Sequence, residues 1–524
     1  MTAIRGGIII DGTGKAGFAG DVVVEGDRIL DVVDGDSGIA DADTIDATGC
    51  LVTPGFIDAH AHSDAYLVIE PDASSKVSQG VTTEINGQCG GSVAPRYGEA
   101  RLSSDWAAIL GDRLTWRSLA EYREVLEAAS PAINTVQFVG HNTLRSSVVG
   151  YAGREATPDE LARMSRLLEE SLDAGGWGLT TGLIYQPGKY STPQEVVALA
   201  KAAASKGGYY ATHMRSEGDR ILEAIDEVLD LVKATGIRAE ISHLKTSGRK
   251  NWNKIDSVLE KIENAIDAGL LLGSDRYPYC AAGTDLDIVL PDWAQEGAAK
   301  AEMERLADAA TRARIVAEIN ASGRDWSTVM IGGTWDAANK PFNGKTVSEV
   351  LSLTSHKSLP SPSPGSLICD ILERDGCKTG AFFFGMSEEN LAKIYSRPWI
   401  VPGSDASLRA PWGPLSADHP HPRAYGTMPE FYRRVRELGF SREDAIARMT
   451  SVPAKRFGLR RRGTIEKGAF ADIAIWKEDG FKATATYLEP HQFASGVKCV
   501  MVNGTIPYRD GSFTGNRGGR FLER

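Results

Sequence analysis

Through the middle of the chain, short apolar runs alternate with longer stretches whose apolar residues recur at i, i+3 and i+4. The runs are Leu51–Ala59, Val81–Ile85, Thr135–Gly140, Gly178–Thr181, Tyr209–Thr212, Ala239–Ser242, Leu270–Ser274 and Trp399–Gly403. Each has the length of a strand and reads as a strand candidate. The stretches between them include Thr157–Ala174, which opens Thr-Pro-Asp-Glu, then Thr192–Lys206 and Gly218–Thr235. All three read as amphipathic helices, the first with a capping threonine before a proline. Strand and helix in alternation predict βα units on a parallel sheet, and eight candidate strands predict an α/β fold of the TIM-like (β/α)8 barrel type.

The two ends follow another pattern. Residues 1–52 are short β-type runs and tight turns, among them Ile8-Ile-Ile-Asp-Gly and Asp21-Val-Val-Val, with Gly26-Asp27 at a hairpin position. Residues 462–524 repeat the style in Ala471-Asp-Ile-Ala-Ile-Trp and Val497-Lys-Cys-Val-Met-Val-Asn-Gly. Chain ends are often neighbours in space, so these halves predict one small discontinuous β-sandwich domain beside a barrel at 53–461. The gap between the seventh and eighth runs is too long for one crossover. It predicts an inserted subdomain at about 291–345, with a strand at Val329-Met-Ile. Ser361-Pro-Ser-Pro-Gly beyond it reads as a loop.

At 524 residues, 42% hydrophobic and 24% charged, the composition is that of a globular protein and excludes disorder, collagen and coiled coil. A net charge of −11 argues against nonspecific binding to nucleic acid or to an anionic membrane. No apolar run approaches the roughly 20 residues that span a bilayer, and the first residues lack the long apolar stretch of a signal peptide, so a cytoplasmic location is expected. The six cysteines never fall in a Cys-x-x-Cys pair, which favours buried thiols over a disulfide framework. Nothing in the pattern sets an oligomeric state.

His60 and His62 follow the first run. Residues two apart in a strand point the same way, so both imidazoles can meet one ion at the strand's C-terminal end. Alone, His-x-His fits hydrogen-bonded histidines at a strand end equally well. Recurrence favours ligands: His213 follows Tyr209–Thr212 and His243 follows Ala239–Ser242, so four of the nine histidines end predicted parallel strands. In a barrel those ends share the catalytic face. Cys89, in Gly87-Gln-Cys-Gly-Gly after the second run, reaches the same mouth. A lone cysteine is ordinarily a small buried thiol, but beside four histidines a thiolate ligand to zinc is the better reading. Asp405 follows the last run in Gly403-Ser-Asp. A turn or cap role is ordinary there; facing a metal cluster, the carboxylate reads as the group that takes a proton from water and returns it to a leaving group.

These residues stand in Pro54-Gly-Phe-Ile-Asp-Ala-His-Ala-His, the Gly87-Gln-Cys-Gly loop, Ala211-Thr-His-Met-Arg-Ser-Glu-Gly, Ile241-Ser-His-Leu-Lys, Gly403-Ser-Asp and His421-Pro-Arg-Ala-Tyr-Gly-Thr. From Gly7 to Val502-Asn-Gly-Thr, in the same order, the chain resembles the amidohydrolase superfamily and, within it, the D-aminoacylase (N-acyl-D-amino-acid deacylase) family. The resemblance implies zinc-dependent hydrolysis of the amide bond of an N-acyl-D-amino acid, a small molecule with a free carboxylate, to a carboxylate and a D-amino acid. It implies a tight zinc site of Cys89, His213 and His243, a second, weaker site at His60 and His62 with Cys89 as a bridge, and Asp405 as general base and acid. Many superfamily members use a carbamylated lysine after strand four; Gly178-Leu-Thr-Thr-Gly-Leu offers none, which fits a thiolate in its place. Lys245, Tyr279 and Arg423 match positions used around the substrate carboxylate, a role that suits an ammonium and a planar guanidinium.

Two features depart from the family pattern. Asp285 stands where a small hydroxyl residue is expected, and in the pocket it would repel an anion or select a cationic side chain. Ser407–Leu415 is longer than the usual link, which predicts a remodelled pocket lip. A cyclic-amide or imide hydrolase, or a D-residue dipeptidase of the same superfamily, stays open as the alternative. A non-catalytic barrel would have lost ligands, and all five are present together with Asp405.

Overall fold

The computed structural model describes residues 1–38, 42–102, 104–355 and 362–524; Ser361 of the expected loop lies outside the described residues. The rest of that loop leads into a helix, Pro364–Asp375, capped by Ser363. Eight parallel strands form the central ring: β1 (Phe56–Asp58), β2 (Val81–Asn86), β3 (Asn134–Gln137 and Val139–Gly140), β4 (Gly178–Gly182), β5 (Tyr209–His213), β6 (Arg238–Ile241), β7 (Leu272–Arg276) and β8 (Ile400–Pro402). Each pairs with the next in parallel. β3 is interrupted at Phe138, whose amide still donates to the Asn86 carbonyl at 3.0 Å. Between β8 and β1 the ring closes through the Ala59 amide on the Pro402 carbonyl at 3.1 Å and the Asp405 amide on the His60 carbonyl at 2.8 Å.

Helices Pro158–Asp173, Pro193–Ser205 and Ile221–Thr235 pack around the ring. The first two begin as their sequences dictate: Thr157 and Thr192 cap orphan amides, and a proline that needs no donor takes the first helical position. In the third, Ile221, Ala224, Ile225, Val228, Leu229 and Val232 make the buried stripe.

The run Leu51–Ala59 is two strands rather than one. Leu51–Pro54 pairs antiparallel with Ile473–Trp476 in the terminal sheet, while Phe56–Asp58 enters the barrel. Gly55 makes the switch, because a Cβ there would lie 2.2 Å from the Thr82 side chain. The terminal sheet draws nine strands from both ends of the chain. Its strand Thr2–Ile9 pairs with Phe18–Glu25 on one side and with both Asp43–Asp46 and Leu51–Pro54 on the other. The sheet thus branches around a core that includes Ile4, Val22, Val52, Ile473 and Met501.

Between β7 and β8 an insertion builds its own antiparallel sheet from Ala282–Asp285, Gly380–Phe383 and Val329–Ile331, with a core running from Leu286 to Ala381. Its packing therefore reaches beyond residues 291–345 on both sides, because the strand joining the other two lies well past Lys345. Asp292 of the insertion pairs with Lys189, in the segment after β4, at 3.5 Å. No helix among the described residues is long and apolar enough to cross a membrane.

Candidate metal centre and active site

Strand ends set the chemistry at the C-terminal mouth of the barrel. His60 and His62 follow β1, Cys89 lies in the turn after β2, His213 ends β5, His243 follows β6 and Asp405 follows β8. Cys89, His243 and Asp405 take left-handed backbones, with φ of 52°, 36° and 50°. Each costs about 1 kcal/mol or more for a residue with a Cβ, and such strain gathers where side chains must be aimed. The Cys89 Sγ lies 3.3 Å from His243 Nε2 and 3.4 Å from His60 Nε2. Ligand atoms of Cys89, His213 and His243 lie within 4.8 Å of one another, as do those of His60, His62, Cys89 and Asp405, so the thiol belongs to both groups. Both ring nitrogens of buried His213 lack a hydrogen-bond partner, an expensive state that a coordinated cation relieves. Tetrahedral zinc, with bonds of about 2.0–2.3 Å, spaces its ligand atoms roughly 3.5 Å apart. The donor set and its spacing fit that ion.

The histidines are held from behind. His60 Nδ1 lies 3.2 Å from Asp275 Oδ2, and His243 Nδ1 lies 2.9 Å from Glu217 Oε1. A carboxylate in that place fixes the tautomer that presents Nε2 to a metal. Asp275 Oδ1 also accepts the His243 backbone amide at 3.0 Å.

Burial disfavours every charge here, yet opposite neighbours outweigh it. His60 and His243 hold the Cys89 thiol well below its ordinary range. Arg423 and His243 hold Asp405 well below the usual carboxylate range. In return, Asp405 and Cys89 lift His62 to about 9. Against burial and the Lys245 charge, Cys89 and Glu217 lift His243 to about 10. The centre is a set of anions facing imidazole protons, and a cation can take the place of those protons.

Asp405 Oδ1 lies 3.0 Å from His62 Nε2 and 3.3 Å from His60 Nε2, while Oδ2 accepts from Arg423 Nη1 at 2.8 Å. Arg423 Nη2 donates to the Gly283 carbonyl at 3.2 Å. Lys245 Nζ donates to Glu217 Oε1 at 2.5 Å and lies 2.8 Å from His243 Nδ1. Both cations sit over the ring of Tyr277, Arg423 at 4.6 Å and Lys245 at 5.8 Å.

Two expected residues fall outside this group. Tyr279 packs among other rings, 5.3 Å from that of His421 and 6.5 Å from that of Tyr487, and its buried hydroxyl has no hydrogen-bond partner. β7 has ended at Arg276 and Pro278 turns the chain, so Tyr277 reaches the cations instead. Asp285 is exposed. In the strand Ala282–Asp285 neighbours alternate in direction, and it is Thr284 that hydrogen-bonds Tyr185 beside the centre, while Asp285 acts on Glu302 of the insertion. The hydroxyl residue expected at 285 is thus offered one position earlier, and the conflict with an anionic substrate disappears.

Three residues at the centre were not read from the sequence. Glu217 stands four after His213 in the His-Met-Arg-Ser-Glu motif, and Asp275 directly follows the seventh apolar run, near the end of β7, much as Asp405 follows the eighth; both signals were available. Tyr185 lies two residues past Leu183, its ring 4.9 Å from His213. Burial, then the anions Cys89, Asp405 and Glu217, push its phenol well above the ordinary range, so it remains a donor.

The chain matches the amidohydrolase family over residues 43–508. It is 33% identical to D-aminoacylase of Alcaligenes xylosoxydans xylosoxydans over 99% of this chain and 97% of that protein. It is also 33% identical to N-acyl-D-glutamate deacylase of the same organism, over 99% of this chain and 96% of the relative. Among solved structures, N-acyl-D-glutamate deacylase of Bordetella bronchiseptica superposes with a TM-score of 0.83 at 30% identity, covering 100% of this chain and 99% of that one; it holds zinc and a phosphonate that mimics the tetrahedral intermediate.

Proposed function

The chain belongs to the amidohydrolase family, and from that premise we propose that it is a metal-dependent deacylase that hydrolyses the amide bond of N-acyl-D-amino acids to a carboxylate and a D-amino acid. The observation that carries the reading is the meeting of Cys89, His213 and His243 within one ligand sphere, with the Asp405 carboxylate beside it. Those three residues would hold zinc, which supplies Lewis acidity to an acyl carbonyl and makes water a stronger acid.

The chain's own groups do the rest. Asp405 takes a proton from the attacking water and delivers it to the amide nitrogen as the C–N bond breaks, so that the amine leaves neutral and the acyl group leaves as a carboxylic acid, whose remaining proton passes to the amine or to solvent to give the carboxylate. Arg423, on the other carboxylate oxygen, keeps Asp405 ionised and turned to the cluster. Tyr185, protonated beside His213, donates to the oxygen on which negative charge develops. Arg423 and Lys245 over Tyr277 are the cations that meet the substrate carboxylate, with the Thr284 hydroxyl nearby. His60, His62, Cys89 and Asp405 form a second, weaker ion site. Asp405 is common to that site and to proton transfer, so filling it ties up the base.

A panel of N-acetyl-D-amino acids, their L-enantiomers and cyclic ureides tests the reading. Turnover confined to the D-acyl series is the expected result. Turnover of cyclic ureides in place of linear substrates would replace it with a cyclic-amide hydrolase.

A further inference from the structure

Beneath the mouth, a buried polar cluster joins the two motifs that carry His60 and Asp405. At its centre is Lys76, from the short helix Ser74–Val77. The side chain is 0% exposed, and its Nζ lies 2.8 Å from Asp58 Oδ2, 2.9 Å from Glu84 Oε1, 2.8 Å from Ser404 Oγ and 3.0 Å from the Ala406 carbonyl. Asp58 is the last residue of β1 and Glu84 lies on β2, while Ser404 and Ala406 flank Asp405. The other oxygen of Asp58 accepts the Ser404 amide at 2.8 Å and the His60 amide at 3.3 Å. Asp405 itself donates its amide to the His60 carbonyl at 2.8 Å and holds φ at 50°.

A fully buried ammonium between two carboxylates is a poor route to stability, because loss of hydration offsets most of the attraction. What such a triad gives here is geometry. One side chain reaches the first strand, the second strand and both neighbours of Asp405, and an apolar residue of the same volume would leave that turn untied. We propose that Lys76 is a positioning residue for Asp405: it clamps the Ser404–Ala406 turn onto β1 and so keeps the Asp405 carboxylate, on its left-handed backbone, facing His60 and His62. Freed from the clamp, the turn relaxes toward an ordinary backbone and carries the carboxylate away from the cluster. The inference rests on Asp405 being the base of the proposed deacylase.

Lys76→Met removes the charge and nearly keeps the length. Its kcat should fall about 10²-fold, the scale of a displacement of about 1 Å at a reacting group, with KM within about twofold and zinc still bound. In an Asp405→Asn background the same change should have little further effect, since the residue acts through Asp405; a merely structural role would multiply the two losses. Ser404→Ala, which leaves the charged triad intact, should show a smaller loss with the same non-additivity, and it supplies the cycle if Lys76→Met does not fold. Hydrogen exchange on the same proteins needs no substrate and separates failure of this inference from failure of the deacylase reading. The Asp405 and Ala406 amides should exchange faster in Lys76→Met, or in Ser404→Ala, while 209–213 keeps its protection. An unchanged kcat per bound zinc, losses that multiply with Asp405→Asn, or unchanged exchange at 405–406 would each overturn the clamp.

Discussion

Two buried clusters in this chain sit at similar depth and settle their charges in opposite ways. At the barrel mouth, Cys89, Asp405 and Glu217 are held ionised by imidazoles, Arg423 and Lys245. In the insertion, Asp287 and Glu302 share a hydrogen bond, and burial lifts both carboxyls to about 7, helped by the Glu302 charge on Asp287 and by the Asp285 charge on Glu302. Depth alone therefore decides nothing; the sign of the neighbours does. The mouth alternates anions with protonated rings and can exchange those protons for a cation. The insertion pair can only keep a proton.

The contrast is broken most severely at the thiolate. Cys89→Ala removes the one protein anion among the three ligands of the tight site, and zinc and activity should vanish together. A variant that keeps stoichiometric zinc after dialysis against chelator would show that the mouth does not depend on its thiolate. Asp405→Asn removes charge without removing that site. Zinc should remain, and kcat should fall by at least ~10²-fold, the loss expected for a positioned acid–base group; an unchanged kcat would take Asp405 out of the chemistry. Glu217→Gln keeps the shape behind His243 but not the charge. Zinc affinity should weaken by about 10–100-fold, the usual cost at a carboxylate that orients a metal-bound histidine, and competitive chelator titration reads it directly.

The insertion sharpens the contrast from the other side. Its unfolded carboxyls ionise near the ordinary 3.8 and 4.5, whereas the folded pair holds a proton up to about 7. Stability from this pair is full below about pH 4 and is lost as pH rises through about 7. Denaturant unfolding followed through Trp293 or Trp326 should show the insertion firmer at pH 5 than at pH 8, and Glu302→Gln should flatten the difference. An insertion that gains stability with rising pH would mean that the pair is not protonated.

Much of the site was legible because barrel geometry does the assembly. His60, His62, Cys89, His213, His243 and Asp405 are far apart in sequence, yet each stands at or just past the end of an apolar run, and parallel strands bring those ends to one mouth. What escaped lies beyond the strand pattern. Gly55 splits a single apolar run between two sheets; Pro54-Gly55 is a local break signal, but the close approach of Thr82 that requires glycine there comes from the tertiary fold. The exchange of Tyr279 for Tyr277, and of Asp285 for Thr284, depends on where β7 stops and on the facing of a short strand in the insertion. Nothing in the local sequence singles out Lys76, because its four acceptors come from three separate segments.

The central claim is that turnover of D-acyl substrates belongs to zinc held at Cys89, His213 and His243. Titrating zinc into chelator-stripped protein, while following hydrolysis of matched N-acetyl-D- and L-amino acids, tests it most directly. Activity on the D-enantiomer should rise in proportion to the first zinc bound per chain and fall as the site containing Asp405 fills, with the L-enantiomer untouched. Full D-activity in the stripped protein, or equal rates on both enantiomers, would contradict the account.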